Sequence, residues 1–242
     1  MHSAKIAVLI SSSPIESHPS TLIIEETIAS IRYHLPESRI YIMQDGVRPE
    51  QAALTDRYVQ YIMDLVGHCI MKDTNISMVP FLDFTHQAGM TMKTLERVEA
   101  PHILFAEHDT PLMERPIDWR MILSFLEAGL TNHVRLHYDE EIHPDHKHLM
   151  EGKVGRFLIQ TRQFHNRPYI ANTEWFRDLL MRTFNEKSRC FIEDRVYTFV
   201  ENAPWDDYKL SIYDPEGTGM DMKRSRDLNG RGKEPKYAQV FG

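Results

Sequence analysis

Glu107-His108-Asp109 sets two carboxylates two residues apart, directly after the apolar run His102-Ile103-Leu104-Phe105-Ala106. A short apolar run closed by polar residues reads as a buried strand, so both acids leave the sheet where the chain turns. Hard oxygen donors in such a place suit Mg2+ or Mn2+, which bridge a diphosphate. A turn of solvated acids would carry the same letters, and the position after a buried strand is what favours a ligand site. A second acid pair, Glu193-Asp194, opens a helix after Phe191-Ile192, where the helix dipole by itself favours negative charge. A third feature is the run from Lys223 to Lys233: residues 220–242 hold six basic residues against three acids. Arg224, Arg226, Arg231 and Lys233, spaced by glycines, suit a lid that closes over a diphosphate, the plain alternative being a solvated tail.

Two further stretches carry polar side chains in unusual density. Five of the thirteen histidines (His133, His137, His143, His146 and His148) fall within sixteen positions, among Asp139, Glu140, Glu141 and Asp145. No spacing there matches a zinc signature. The cluster reads as a surface loop, with His137 as an extra metal ligand or phosphate contact. The segment from Arg162 to Trp175 mixes aromatic, amide and guanidinium groups and reads as an acceptor surface for sugars. Trp175 and Phe176 are equally explained as core residues of the next helix.

These residues need a scaffold, and the chain supplies alternating strand and helix patterns. Strands are expected at Ile6–Ile10, Arg39–Met43, Met78–Phe81 and His102–Ala106. Helices are expected from a Ser20 cap onward with apolar positions 24, 28, 31 and 35, from Pro49 to Val66, and from Thr91 to Val98. Such alternation is the mark of an α/β domain with a mostly parallel sheet. Ligands bind outside the carboxyl ends of such strands. Three of these ends carry Ser11, Ser12 and Ser13, then Asp45, then Glu107 and Asp109, which makes one shared crevice the expectation. The second half is less regular, with helices at Trp119–Leu130, Thr173–Phe184 (capped by Asn172 or Thr173) and Ile192–Val200. Its strands are expected at Val134–Tyr138, Gly155–Thr161 and Tyr208–Tyr213, with a loop from Asp139 to Gly152.

The order of elements resembles the nucleotide-binding half of GT-A fold glycosyltransferases, in particular the family-2-like members. The likeness covers about the first half of the chain. It rests on the first strand ending in small polar residues, on Gln44-Asp45-Gly46, on Thr94-Leu95-Glu96-Arg97-Val98, and on His102 through Asp109. The resemblance implies a GT-A-like (Rossmann-like) α/β fold, its mostly parallel central sheet flanked by helices, with a smaller acceptor-binding sub-region. In such a frame Asp109 would ligate Mn2+ or Mg2+ directly, and Glu107 would contact ribose or reach the metal through water. Asp45 would meet the base, and Ser11, Ser12 and Ser13 would line the nucleotide pocket. Asp194 would act as general base on the acceptor hydroxyl, with Glu193 as the runner-up. Glu107 stands where the family usually carries Asp, which lengthens the side chain and keeps the charge.

The expected function is therefore a metal-dependent glycosyltransferase that moves a sugar from a nucleoside-diphosphate sugar donor to a carbohydrate or glycan hydroxyl. Inversion is preferred, because a candidate base is present and no nucleophile is evident. A sugar nucleotidyltransferase is the alternative enzyme, disfavoured by the absence of Lys or Arg from Ser11-Ser12-Ser13-Pro14-Ile15-Glu16. A non-catalytic carbohydrate-binding protein on the same fold is the third possibility. Composition narrows the rest. With 42% hydrophobic and 26% charged residues the chain has ordinary globular usage. A net charge of −7 argues against a nucleic-acid partner. No apolar run approaches the roughly 20 residues of a membrane span, and Cys69 and Cys190 are too few and too far apart for a disulfide scaffold. A cytoplasmic location is expected. No linker interrupts the sequence, so a single domain is expected over 1–242: a nucleotide half to about 110, an acceptor half over about 111–219, and the basic tail or lid over 220–242.

Overall fold

The structure, a computed structural model, describes residues 2–136, 144–185, 187–215 and Gly217. Its centre is β1 (Ile6–Ser12), buried along its whole length, as a strand covered on both faces must be. It pairs in parallel with β2 (Arg39–Gln44) on one side and β4 (His102–Glu107) on the other. Beyond β2 lies β3 (Ile76–Pro80), also parallel. Between these strands run α1 (Leu22–His34), α2 (Thr55–Leu65) and α3 (His86–Leu95).

Alternation along the strands divides the core in two. Val8, Ile10 and Leu104 pack against Ile24, Ile28 and Ile31 of α1, Tyr58 and Tyr61 of α2, and α4 (Trp119–Glu127). Ala7, Leu9, Ile103 and Phe105 face α3, α5 (Thr173–Thr183) and α6 (Ile192–Val200) on the other side.

The remaining strands are β5 (His133–Arg135), β6 (Met150–Val154), β7 (Leu158–Thr161), β8 (Tyr169–Asn172) and, after the short α7 (Trp205–Tyr208), β9 (Leu210–Tyr213). They extend the same sheet to the order β3-β2-β1-β4-β8-β5-β9-β7-β6. Strand β8 runs antiparallel to both β4 and β5, β5 runs parallel to β9, and β7 runs antiparallel to β9 and β6. The first four strands are thus wholly parallel and the rest mixed.

Several expectations need correction. Helix α3 starts at His86 rather than Thr91, because a carboxylate from another element caps it. The helix expected from Pro49 begins as a 3-10 turn over Pro49–Leu54, and its α-helical part ends at Leu65 in a π turn over Val66–Ile70. Helix α1 starts at Leu22 with Thr21 at its cap position, and the expected capping residue Ser20, one position earlier, accepts the Leu22 N–H through Oγ at 3.4 Å. Helix α4 stops at Glu127, two residues before Gly129 with its φ of 65°. Residues 150–152, expected in a loop, belong to β6, and Gly155, with a φ of 66°, lies in the turn of the β6–β7 hairpin. The whole of β8 lies inside the segment expected to be an acceptor surface. No helix among the described residues is long and apolar enough to cross a membrane.

Candidate active site

The carboxyl ends of β1, β2 and β4 open into one pocket of about 240 Å3. Ser11, Ser12, Ser13, Asp45, Glu107 and Asp109 all line it, together with Arg48, His86, Gln87 and Phe191. The crevice expected from three separate strand ends is therefore a single cavity. Register explains the convergence. Ser11 stands opposite Met43 on β2 and Glu107 on β4, so the polar residues ending all three strands emerge at one level. Ser11 and Glu107 share the face toward α3 and α6, while the intervening Ser12 and His108 point the other way. Ser12 Oγ lies 3.2 Å from Tyr61 Oη, and the backbone N–H of His108 donates to Ser11 O at 2.9 Å.

Glu107 is the most perturbed carboxyl of the pocket. Burial pushes it up to about 8, the neighbouring charge of Asp109 adds to the shift, and a hydrogen bond from Gln87 Nε2 to its Oε1 at 2.9 Å opposes it. Two carboxyls held together, one of them resisting ionisation, fit a hard divalent cation, whose charge would relieve both desolvation and repulsion. Among the described residues no group of three or more His, Cys, Asp or Glu side chains gathers around a single point. Mg2+-type sites commonly use one or two carboxylates and take the remaining oxygens from water and substrate phosphates.

Asp45 has a structural duty that its sequence context did not reveal. Its Oδ1 accepts from the backbone N–H groups of Gly46 at 2.9 Å, Thr85 at 2.8 Å and His86 at 3.1 Å, and Oδ2 shares the last at 3.1 Å. The carboxylate thereby supplies the acceptor that the N-terminus of α3 needs. His86 enters the helix with a φ of 65°, a left-handed conformation that costs a residue with a Cβ free energy and tends to persist where the surroundings enforce it. Gly46 belongs to the same device: a Cβ there would lie 2.4 Å from the backbone carbon of Asp83.

Sequence reasoning missed Arg48, His86, Gln87 and Phe191. Among the described residues Arg48 is the single Lys or Arg lining this pocket; its guanidinium stands 4.7 Å over the Phe84 ring and makes no hydrogen bond or ion pair with them. The His86 ring meets Phe191 edge-on at 4.6 Å, and burial followed by the charge of Arg48 lowers its pKa. Only Arg48 left a signal that could have been used, a cation three residues beyond Asp45.

Helix α6 borders the pocket through Phe191, and its first residue is tied to α3: the Ile192 N–H donates to Gln87 Oε1 at 2.9 Å. The two acids that follow differ. Glu193 is half-buried, accepts the Asn166 N–H at 3.2 Å and lies 3.5 Å from His165 Nδ1, and burial raises its carboxyl above the usual range. Asp194 is exposed, makes no hydrogen bond among the described residues, and its charge acts on His86.

Other expected site residues fall elsewhere. Phe164 and Tyr169 of the expected acceptor surface are fully buried, as is Phe176, while Trp175 is partly buried against the same cluster. They fill the second core because β8 runs through the middle of the sheet. His133, counted with the surface histidines, is buried in β5 against Phe164 at 5.2 Å and Tyr169 at 4.5 Å, and burial pushes its pKa down to about 3. His137, Arg224, Arg226, Arg231 and Lys233 lie outside the described residues.

No family model matches the sequence, and no curated protein matches it. Solved structures do match the fold. The mannosyltransferase PcManGT from Pyrobaculum calidifontis, in complex with GDP-Man and Mn2+, is similar with a TM-score of 0.57 at 13% identity, over 94% of this chain and 58% of that one. GalNAc-T7, with UDP, GalNAc and Mn2+, is similar with a TM-score of 0.57 at 10% identity, over 97% of this chain and 46% of that one. TarS residues 1–349 from S. aureus are similar with a TM-score of 0.53 at 12% identity, over 88% of this chain and 58% of that one. This chain spans about half the length of those chains, and the architecture it shares with them is the GT-A glycosyltransferase fold.

Proposed function

We propose that this protein transfers a glycosyl group from a nucleoside-diphosphate sugar to an acceptor hydroxyl. The observation that carries the proposal is the single pocket where the serines ending β1, Asp45 and the Glu107–Asp109 pair meet. That three structural neighbours are glycosyltransferases, or were solved with nucleotides or sugar nucleotides, supports it. Asp109 and Glu107 are the residues that would hold Mn2+ or Mg2+, and such a cation supplies neutralisation of charge growing on a diphosphate leaving group.

The protein's own groups divide the remaining work. Ser11, Ser12 and Ser13 line the nucleotide end, Asp45 stands at the base end with Oδ2 the less engaged of its two oxygens, and Arg48 supplies a fixed positive charge to the pocket. Asp194 is the preferred general base, because its carboxylate is uncommitted and open to an acceptor arriving from solvent. Glu193 accepts the Asn166 N–H and lies beside His165, which suits it to orienting. A base without a nucleophile favours inversion at the anomeric carbon. Arg224, Arg226, Arg231 and Lys233 are kept as the candidate lid over the diphosphate, and His137 as an additional cation ligand.

The test is product analysis with a panel of UDP-, GDP- and dTDP-sugars and glycan acceptors. Release of nucleoside diphosphate that stops with EDTA, with a glycoside of inverted configuration, is the expected result. Release of pyrophosphate from a nucleoside triphosphate mixed with a sugar 1-phosphate would establish the nucleotidyltransferase alternative. Donor binding without turnover on any acceptor would leave a carbohydrate-binding protein.

A further inference from the structure

Gln87 sits in the first turn of α3 and is 4% exposed. Its side-chain amide makes two hydrogen bonds in opposite directions. Nε2 donates to Glu107 Oε1 at 2.9 Å, and Oε1 accepts from the Ile192 N–H at 2.9 Å. One end thus reaches the carboxyl pair at the tip of β4. The other reaches the first residue of α6, the helix that carries Glu193 and Asp194.

The second bond answers a need of α6. A helix leaves its first N–H groups without intrahelical partners, and Phe191, at the cap position, supplies no side-chain acceptor. An ordinary Ser or Asp cap would satisfy one of those donors and fix α6 to nothing else. Here the acceptor comes from a different helix and is the same amide that holds Glu107. Gln87 is itself located by its chain neighbours. Asp45 fixes the Thr85 and His86 N–H groups, and the Ala88 N–H donates to Cys190 O at 3.3 Å, closing the gap between α3 and the segment before α6.

We propose that Gln87 is a positioning residue that sets the distance between the donor-side carboxyl pair and the acceptor-side base, so that the two carboxylate stations move as one body. The proposal rests on the glycosyl-transfer reading above and adds to it a named strut. Misplacing a catalytic group by about 1 Å can cost 10²-fold in rate while leaving ligand contacts in place, so the loss belongs in kcat.

Two variants cut the strut at different points. Gln87→Met keeps the volume and removes both bonds. Ile192→Pro removes the donor of the second bond, at the first helical position, where the proline backbone is well accommodated; it also replaces a buried Ile side chain of the second core, so Gln87→Met carries the decision. UDP-GlcNAc and GDP-mannose with Mn2+ serve as turnover probes, and UDP and GDP with Mn2+ as binding probes. Both variants are expected to lose about 30-fold in kcat for transfer, with nucleotide affinity and donor KM within about threefold of the parent. Hydrolysis to water should fall less than transfer. In Gln87→Met, the Ile192 amide should exchange with deuterium at least about tenfold faster. Unchanged kcat, a loss carried wholly by KM, or an Ile192 amide still protected in Gln87→Met would overturn the proposal. If the parent protein neither turns over these sugars nor binds UDP or GDP, the glycosyl-transfer reading fails instead, and the exchange measurement alone decides whether Gln87 holds α6.

Discussion

The two halves of the sheet are built by different rules. In the parallel half β1, β2, β3 and β4 follow one another through helical connections, and their carboxyl ends lie on one edge. In the mixed half β8 returns from residues 169–172 to lie between β4 and β5, and β9 separates β5 from β7. The first arrangement generates a pocket automatically, because every strand delivers a loop to the same place. The second delivers bulk: Tyr169, Ile170 and Ala171 are buried and brace β4 from the far side. The pocket and its carboxylates lie where the chain is topologically simple, and the complicated half positions one helix, α6, against them.

This contrast can be broken in several ways. The largest expected effect is at Asp109. Asp109→Ala should lower Mn2+-dependent nucleoside diphosphate release by about 10³-fold or more, with little change in melting temperature because the side chain is half-exposed. An intact variant turning over at the parental rate would remove the parallel half's claim to the chemistry. Next is α6. Asp194→Asn should cost about 10²-fold or more in kcat, and Glu193→Gln about tenfold, since Glu193 accepts a backbone hydrogen bond that an amide oxygen can also accept. A reversed order in kinetic assays would transfer the base to Glu193.

Two buried groups, one in each half, should give the fold opposite responses to pH. Burial and the charge of Asp109 raise Glu107 to about 8, so between the usual carboxylate range and about pH 8 the folded state holds a proton that the unfolded chain has lost. Stability in EDTA should fall as pH rises through that window, and Glu107→Gln should flatten the fall. His133, lowered to about 3 by burial, stays neutral in the folded state while the unfolded chain takes up a proton below the ordinary histidine range. Stability should therefore fall as pH drops from about 6.5 toward 3. His133→Phe should reduce that loss but not abolish it, because His18, also lowered to about 3, contributes in the parallel half. Thermal melts from pH 4 to 8.5 on the three proteins test both signs. The smallest expected effect is at Asn172, whose side chain caps α5 by accepting the Trp175 N–H at 3.1 Å. Asn172→Ala should cost about 1 kcal/mol in urea unfolding, leaving nucleotide affinity unchanged if bracing and binding are separable.

How legible each half was in the sequence follows from the same difference. The parallel strands announce themselves as continuous apolar runs, so β1, β2 and β4 were placed to within a residue or two, and the shared crevice followed from their ends. Strand β8 is four residues long, follows Pro168 and lies among polar neighbours, so it carries neither alternation nor a long apolar run. Its burial comes from pairing with β4 and β5, which are distant in sequence. The start of α3 was missed for a related reason. Its cap, Asp45, lies forty residues away, and no local pattern encodes that bond. Gln87 was invisible because a glutamine in a helix reads as surface until its two partners, from β4 and α6, are in place.

Gly46 carries one more implication. The absence of a side chain there lets the end of β2 touch the Asp83–Phe84 backbone, with an added methyl only 2.4 Å from the Asp83 carbonyl carbon. That contact seats Asp45, Asp45 seats α3, and through Gln87 the placement reaches Glu107 and the start of α6. Anyone diversifying this pocket to accept new ligands should therefore hold position 46 constant and randomise around it. A single methyl group at that hinge would be transmitted to Asp45 and Glu107, and the damage would be mistaken for lost specificity.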